Sequence, residues 1–372
     1  MYNSYSMGTK ARVIAFYLPQ FHAIPENDEW WGKGFTEWTS VRNAQSLFSN
    51  HIQPKVPGEL GYYNLLDPKV REKQAEMARY AGIEGFCYWH YWFGNGRQLL
   101  EKPFNEVLVS GKPDFPFCLG WANHSWSRKT WTKYKSNSNQ MLMEQEYPGD
   151  DDIVLHFNHV LPAFKDHRYM TVEGKPIFLL WDSMSLPNPQ HFMSVWNDLA
   201  QKNGLNGVYF IGLIGGPLSR HSLPLSNGYD AVCWENFYSA ELKSNYIRTR
   251  IYPTLHKLFP ALTFLRKYKY SDIINNYFTE ADAKDRIYPT IVPNYDRSPR
   301  GGKKAVIFYG STPELFGQHL KQALDVVSHK EDEHKILFLR SWNEWGEGNY
   351  MEPDSQYGRG YLDIMHDLMF VK

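Results

Sequence analysis

Short apolar runs recur along the chain, each separated from the next by polar segments or helical patterns. The runs are four to six residues long and rich in β-branched and aromatic residues, which is typical of strands buried on both faces. The eight predicted strands are Arg12–Tyr17, Gly85–Trp89, Phe117–Trp121, Ile177–Trp181, Val208–Leu213, Ala231–Trp234, Tyr288–Val292 and Ile336–Arg340.

Helical patterns occupy most of the intervals between these runs. One helix is predicted to begin at Pro68, because Asp67 is a favourable N-cap and proline is tolerated at the first helical position. The same helix is predicted to stop at Gly82. Further helices are predicted at Asp151–Phe164, His191–Asn203, Thr312–Val327 and Gly360–Val371.

Eight such strands alternating with helices predict an α/β fold, a (β/α)8 TIM barrel with long loops on the face formed by the carboxyl ends of the strands. A doubly wound open sheet is the alternative. No internal repeat or linker divides the chain, so residues 1–372 are predicted to form one domain. Residues 235–287 are predicted to be an insertion over one face, because this long stretch is basic and aromatic with only partial helical periodicity.

Polar and aromatic residues collect just after seven of the eight predicted strands. In a barrel of this kind the active site lies at the carboxyl ends of the strands, so these clusters are predicted to line one substrate pocket. A lone residue such as Asp182 is more simply a loop cap. The residues predicted to contact the substrate are Tyr17, Gln20, His22, Trp31, Glu37, Trp38, His90, Tyr91, Trp92, Asn123, His124, Trp126, Asp296, Arg297, Trp342 and Asn343.

The aromatic content changes what this pocket is expected to bind. The chain has 13 Trp, 25 Tyr and 22 Phe, which exceeds what core packing usually requires. Trp and Tyr combine a flat apolar face with a polar group, which suits sugar rings that have apolar faces edged by hydroxyls. An aromatic-rich core is the simpler explanation of composition alone, but the positions after the strands favour sugar binding.

Two glutamates lie in the segment Trp342–Gly348 (WNEWGEG), directly after the eighth predicted strand. Glycoside cleavage commonly uses two carboxyl groups, one as proton donor and one beside the anomeric centre. Glu344 and Glu347 are three residues apart and would face one side if the turn is helical. We expect their pKa values to be pushed apart. The alternative is an exposed acidic loop or a helix N-terminus.

Other function classes have little support in the sequence. Forty basic and forty acidic residues cancel, which argues against a nucleic-acid binder. No zinc-site spacing, HExxH, GxSxG, P-loop or GxGxxG motif is present. The acidic run 150–152 could be the metal-binding motif of a nucleotide-sugar transferase, but more simply caps the following helix. The three cysteines, Cys87, Cys118 and Cys233, are expected to be buried free thiols.

The sequence also bears on location. No apolar stretch approaches the length of a membrane span. The segment from Met1 to Lys10 is polar and has no signal-peptide core. The expected location is therefore cytoplasmic, or periplasmic or secreted if a leader has been removed. The oligomeric state stays open.

Several aromatic-rich segments together resemble one known group. They are FYLPQFH (Phe16–His22), WWGKGFTEW (Trp30–Trp38), GYYNLLDP (Gly61–Pro68), GFCYWHYWF (Gly85–Phe93), GKPDFPFCLGWAN (Gly111–Asn123) and WNEWGEG, followed by Glu352 and Pro353. The chain resembles the WbsX-like proteins, which belong with the glycoside hydrolase family 99-like (endo-α-mannosidase-like) enzymes. The similarity extends from about Ala11 to Tyr361.

The resemblance implies a (β/α)8 barrel, no metal and no organic cofactor. It also implies that Glu344 is a base on the sugar 2-hydroxyl, which attacks its own anomeric carbon to give a 1,2-anhydro sugar. Glu347 would be the general acid/base, and configuration would be retained. Two departures bear on substrate identity: His124 and Ser125 stand where Glu and Asn are expected, and the segment 294–300 (NYDRSPR) matches the usual pattern only loosely.

The main hypothesis is therefore a retaining, endo-acting glycoside hydrolase whose partner is an oligo- or polysaccharide of bacterial origin. The second hypothesis is a glycosyltransferase of surface-polysaccharide (O-antigen, lipopolysaccharide) biosynthesis, since WbsX-like proteins often carry that label. The third is a non-catalytic carbohydrate-binding protein, which would keep the aromatic residues but has no need of two close glutamates.

Overall fold

The computed structural model describes residues 8–127, 140–259, 262 and 264–370. Eight strands form a closed barrel in which every neighbouring pair is parallel, including the pair that closes the ring between the third and fourth strands. The (β/α)8 prediction is confirmed. The strands are β1 Arg12–Tyr17, β2 Gly85–His90, β3 Phe117–Trp121, β4 Lys175–Leu180, β5 Tyr209–Gly215, β6 Ala231–Glu235, β7 Ile287–Ile291 and β8 Ile336–Leu339.

All eight strands lie within two residues of their predicted bounds at each end. This agreement has a physical cause, because helices cover the outside of the barrel and side chains fill its interior, so barrel strands are apolar throughout. Every residue of β1, β3, β7 and β8 is buried. The three cysteines are also buried and free, as predicted.

The predicted helices are present with small changes at their ends. Asp67 caps the first of them by accepting a hydrogen bond from the Lys69 amide, and Gly82 ends it in the left-handed conformation with φ of 84°. The described helices are Pro25–Trp31, Glu37–Arg42, Pro68–Ala81, Lys102–Ser110, Asp150–Phe164, Pro189–Lys202, Leu223–Ser226, Phe237–Ser244, Tyr252–Leu258, Tyr270–Ile274, Ser298–Gly301, Pro313–Val327 and Gly360–Met369.

Two short helices, Pro25–Trp31 and Glu37–Arg42, lie between β1 and the helix Pro68–Ala81, where no helix is predicted from the sequence. Their lengths of seven and six residues are too short to show apolar periodicity. The first begins with a proline and the second has a capping box at Thr36, so local geometry defines both. They bring Trp31 and Glu37 to the carboxyl end of the barrel.

Residues 236–286, between β6 and β7, are here called the lobe. The lobe contains three α-helices, a π-helical turn at Ile247–Ile251 and a strand, Arg266–Lys269, that pairs in parallel with Val306–Tyr309 outside the barrel. Its base buries Tyr268, Tyr270 and Tyr277 in a hydrophobic cluster that also includes Tyr295 and Phe308, which follow β7. Because the lobe follows the carboxyl end of β6, it begins on the face formed by the carboxyl ends of the strands.

Candidate active site

A cavity of about 320 Å³ opens at the carboxyl ends of the strands. Both glutamates of the WNEWGEG segment line it, together with aromatic, basic and small polar side chains. The lining residues are Leu18, Gln20, Asn27, Trp31, Trp89, Tyr91, Ala122, His124, Ser125, Trp126, Ser127, Leu142, Trp181, Arg297, Arg300, Arg340, Ser341, Glu344 and Glu347.

The backbone around the glutamates is a tight reversal. Asn343–Glu344 pairs antiparallel with Asn349–Tyr350, and a single 3-10 turn, Trp345–Glu347, lies between them. A Cβ atom on Gly346 would overlap the carboxylate of Glu37, so only glycine allows this approach. The turn therefore places both glutamates on one side and leaves room for a third carboxylate behind them.

One guanidinium group joins these three carboxylates. Nη1 of Arg300 donates to Glu344 Oε1 at 3.0 Å and to Glu347 Oε1 at 2.9 Å, while its Nε donates to Glu37 Oε1 at 2.9 Å. Because both catalytic candidates contact the same nitrogen, these two oxygens are separated by no more than about 6 Å. The structure thus holds the predicted pair close together inside the cavity.

Glu347 has two further cationic neighbours. The Arg297 Nε lies 3.0 Å from Glu347 Oε1, and Arg340 Nη2 lies 3.4 Å from Oε2. Arg340 also pairs with Glu235 at the end of β6. Glu344, by contrast, has Arg300 and the Ser341 hydroxyl, which donates to Oε2 at 3.4 Å.

These unequal surroundings separate the two pKa values. Burial, followed by the negative charge of Glu347, raises the pKa of Glu344. Burial acts in the same direction on Glu347, but Arg297, Arg300 and Arg340 outweigh it and lower its pKa to about 2. In the free protein Glu344 therefore binds a proton more readily than Glu347, and Glu347 is the more firmly ionised group.

Aromatic side chains form the walls of the cavity. Tyr91 lies edge-on to Trp126 with ring centroids 5.2 Å apart, and burial raises the pKa of its hydroxyl. On the other side His124 packs on Trp181 at 4.6 Å, and burial lowers the pKa of His124. Flat rings beside buried carboxyl groups provide both the stacking surface and the charge that sugar chemistry needs.

Eight of the predicted site residues line this cavity, and the others lie outside its lining. The eight are Gln20, Trp31, Tyr91, His124, Trp126, Arg297, Glu344 and Glu347. Glu37 is fully buried and reaches the pair through Arg300. Tyr17 is also fully buried and donates to Gln74.

Behind the turn, the remaining predicted residues of the WNEWGEG segment are part of its support. Asn343 exchanges two hydrogen bonds with the backbone of Leu18, and Trp342 is fully buried. Glu352 accepts from Trp345 Nε1 and Gln74 Nε2, both at 2.6 Å, and from a tyrosine hydroxyl. Burial raises the pKa of Glu352 to about 7 although these donors lower it.

Other predicted residues point away from the cavity. His90 contacts His156 Nε2 at 2.9 Å, and Trp92 donates to Asp152, so both face the helix Asp150–Phe164 outside the barrel. The remaining four bind nearby loops: His22 contacts the Pro19 carbonyl, Trp38 donates to Tyr63, Asn123 donates to Asp182, and Asp296 contacts His51 and Gln53.

Comparison with known proteins adds family membership to this geometry. The family model described as Glycosyltransferase WbsX matches residues 13–365. The chain belongs to the WbsX family. Its relatives include the uncharacterized protein WxcX of Xanthomonas campestris pv. campestris, strain B100, at 30% identity over 364 residues. The match covers 95% of this chain and 49% of WxcX, so the chain spans about half the length of the curated relatives it matches.

Solved structures share the fold of this WbsX-family chain. One, described as a glycoside hydrolase-like protein, has a TM-score of 0.61 and 16% identity and covers 99% of this chain and 96% of its own. Another, the family 99 endo-α-mannosidase of Bacteroides thetaiotaomicron in complex with bis-tris-propane, has a TM-score of 0.55 and 15% identity over 96% of each chain. At these identities the similarity shows the barrel fold alone.

Sequence reasoning missed two arginines that organise the site of this WbsX-family chain. Arg300 lies at the end of the loosely matching segment 294–300, and Arg340 follows β8 directly. Position after a strand was a usable signal for Arg300, whereas Arg340 was predicted to be the last residue of the eighth strand, and the sequence alone does not show which carboxylates either arginine meets. Among the described residues no group of His, Cys, Asp and Glu could hold a metal, and no helix has both the length and the apolar character needed to cross a membrane.

Proposed function

We propose that the chain is a retaining glycoside hydrolase, endo-acting on a bacterial polysaccharide, with Glu344 and Glu347 as its catalytic pair. The observation that carries the proposal is the close approach of these two carboxyl groups in an aromatic cavity. Pairs that use an intervening water lie about 6.5–9.5 Å apart, whereas retaining pairs are closer. The two oxygens that share Arg300 Nη1 are no more than about 6 Å apart, and this close approach supports a retaining pair.

The individual roles come from the family resemblance, in which Glu344 activates the sugar 2-hydroxyl and Glu347 protonates the leaving oxygen. The contacts of the free protein favour the opposite distribution of charge, since three arginines surround Glu347. The proposal is that Glu344 and Glu347 act as a pair, and an experiment can decide which of them is the acid. Removal of the acid should affect substrates with poor leaving groups more than activated ones, because only the former need protonation.

The test of the reaction uses purified protein and a panel of bacterial surface polysaccharides. Product sizes are followed by chromatography, and the anomeric configuration of the first product is read by NMR. We expect shorter oligosaccharides with retained configuration, and loss of that activity in Glu344→Gln and Glu347→Gln. The matched control is Glu76→Gln, at an exposed position of the helix Pro68–Ala81.

A glycosyltransferase is the second candidate, and the observation that favours it is the family's own description. The same protein is therefore incubated with nucleotide sugars and acceptor polysaccharide. Transfer that persists in both glutamate variants would contradict hydrolysis by this pair. Polysaccharide binding without turnover in either assay would favour the third hypothesis, a non-catalytic binding protein.

A further inference from the structure

The lobe carries an apolar surface that the structure leaves exposed. Its base buries aromatic residues in a hydrophobic cluster, whereas its tip, residues 246–259 and 262, has large apolar side chains that are 40–66% exposed. The exposed apolar residues of the tip are Tyr246, Ile247, Ile251, Leu258, Phe259 and Leu262. An apolar patch contiguous in one segment marks an interaction site more often than scattered apolar residues do.

Helical geometry puts part of this set on one side. The π-turn Ile247–Ile251 runs directly into the helix Tyr252–Leu258. Within this helical run Ile247, Ile251 and Leu258 are spaced by four and seven residues, which is the repeat of a single helix face. The tip therefore presents a stripe of aliphatic side chains to the solvent.

The charge of the same region is strongly one-sided. Residues 242–271 contain seven Lys and Arg and no Asp or Glu, although the whole chain has a net charge of zero. One of the seven, Arg266, is paired with Glu241, whereas Lys243, Arg250, Lys257 and Lys269 are exposed. A basic helical surface with an exposed apolar face is the combination that binds in the interface of an anionic membrane.

We propose that the tip of the lobe docks on the surface of an anionic lipid bilayer. The apolar stripe would enter the boundary between headgroups and acyl chains, and the surrounding cations would contact lipid phosphates. A second copy of this chain is a poor occupant because the same positive surface would repel it. The inference does not depend on the reaction catalysed in the barrel.

The lobe and the cavity lie next to each other in the structure. Phe237, at the start of the lobe, lies against the guanidinium of Arg340, which lines the catalytic cavity. The lobe begins on the same face of the barrel as that cavity. The lobe that we propose to dock on the bilayer and the cavity mouth therefore belong to the same face of the barrel.

The test is flotation of the chain with vesicles of phosphatidylcholine alone and of phosphatidylcholine mixed with phosphatidylglycerol. We expect binding to the mixed vesicles, little binding to the neutral ones, and weaker binding at high salt. Leu258→Glu with Phe259→Glu should lower the partition coefficient at least about tenfold, and Lys243→Glu with Lys257→Glu by a similar factor. All four positions are exposed, so the variants should fold, as circular dichroism would check.

Matched controls are available on other surfaces. Val109 is 88% exposed on the helix Lys102–Ser110, and Lys321 is exposed on the helix Pro313–Val327. Val109→Glu and Lys321→Glu should leave vesicle binding unchanged. A second measurement attaches a polarity-sensitive dye to Leu258→Cys, which is selective because the native cysteines are buried. Its emission should move to shorter wavelength with anionic vesicles, and the same dye on Val109→Cys should not respond.

Three outcomes would overturn the proposal. The first is no binding to the anionic vesicles, and the second is binding that the lobe variants do not change. The third is binding that is matched by dextran sulfate or nucleic acid and is insensitive to Leu258→Glu with Phe259→Glu, which would show a site for polyanions in general. Occupation of the tip by an acidic protein would appear as the first outcome.

Discussion

The two ends of the barrel use arginine in different ways. At the amino ends of the strands, Arg12 binds both oxygens of Glu84 at 2.8 Å, and Arg168 binds both oxygens of Asp166 at 2.7 and 2.9 Å. At the carboxyl ends, Arg300 is shared among three carboxylates. In the first arrangement one planar guanidinium binds one carboxylate. In the second, three carboxylates share the positive charge of one guanidinium.

The bidentate pairs at the amino ends are suited to stabilising the fold, whereas the shared cluster at the carboxyl ends is suited to chemistry. A bidentate pair satisfies the charge and the geometry of both groups, and nothing remains for a ligand. In the shared cluster Glu344 and Glu347 contact a common cation but differ in their other neighbours, and their pKa values move in opposite directions. Perturbed carboxyl groups in a cavity are the usual mark of a catalytic site.

The largest effect should come from the carboxyl-end pair. Glu344→Gln and Glu347→Gln should each lower kcat for polysaccharide hydrolysis by about 10²–10⁴-fold, the range that general acid–base catalysis supplies. Glu84→Gln, the same change at the other end, should leave kcat unchanged. Initial rates of the three variants at saturating substrate provide the measurement. Equal losses in all three would show that both ends act only through stability.

The next largest effect should be on stability, at the amino end. Glu84→Gln leaves the Arg12 guanidinium, whose side chain is 9% exposed, without its carboxylate. Breaking a buried pair on one side costs about 3–5 kcal/mol, and the partial exposure of this pair places the expected loss at the lower limit. Urea titration measures the free energy of unfolding. The double variant Arg12→Met, Glu84→Leu should recover most of the loss, because it removes both charges.

Some features of the two ends of the barrel depend on local sequence and can be predicted from it, whereas others depend on the folded structure. Strand bounds and the location of the site follow from apolar runs and from the polar residues after them. Residue type predicts less well which side each residue faces, because side chains alternate along a strand: Trp89 and Tyr91 line the cavity, whereas His90 between them points out to His156. Alternation along the strand excludes a position that residue type alone had suggested.

The arginine cluster was less accessible to sequence reasoning. Arg300 lies in the segment after β7, whereas Glu344 and Glu347 follow β8 and Glu37 lies more than 250 residues earlier. Only closure of the barrel brings these segments together. The resemblance implied roles for the two glutamates. The difference between their pKa values, however, depends on tertiary contacts that a sequence motif does not contain.

The third prediction concerns pH and sharpens the contrast within the carboxyl-end pair. Glu347 has a pKa of about 2 in the folded protein, below the ordinary 4.5, so its contribution to stability is present above pH 4.5 and is lost as pH falls toward 2. Glu344 has a raised pKa, so its ionisation costs stability as pH rises above 4.5. Relative to wild type, Glu347→Gln should therefore be most destabilised above pH 4.5, by up to about 3 kcal/mol.

Glu344→Gln should show the opposite trend and gain stability relative to wild type as pH rises above 4.5. Unfolding by urea at a series of pH values, with each variant compared with wild type, gives both slopes. If the stability difference from wild type changed with pH in the same direction for both variants, the surroundings of the two glutamates would not shift their pKa values in opposite directions. Carboxyl ¹³C shifts of the folded protein would then show directly which glutamate binds the proton.

The smallest expected effect is on substrate binding, and it tests whether aromatic residues divide in the same way, between the cavity wall and the core. Trp126, partly exposed on the cavity wall, should contribute to substrate binding, whereas Trp196, fully buried outside the barrel strands, should contribute to stability. Trp126→Ala should raise KM for the hydrolysed polysaccharide about fivefold, since an aromatic contact is worth about 1 kcal/mol, with little change in Tm. Trp196→Ala should lower the stability by about 3–5 kcal/mol, and the KM of the protein that stays folded should not change. A Tm for Trp126→Ala as low as that of Trp196→Ala would place Trp126 in the core rather than in the substrate site.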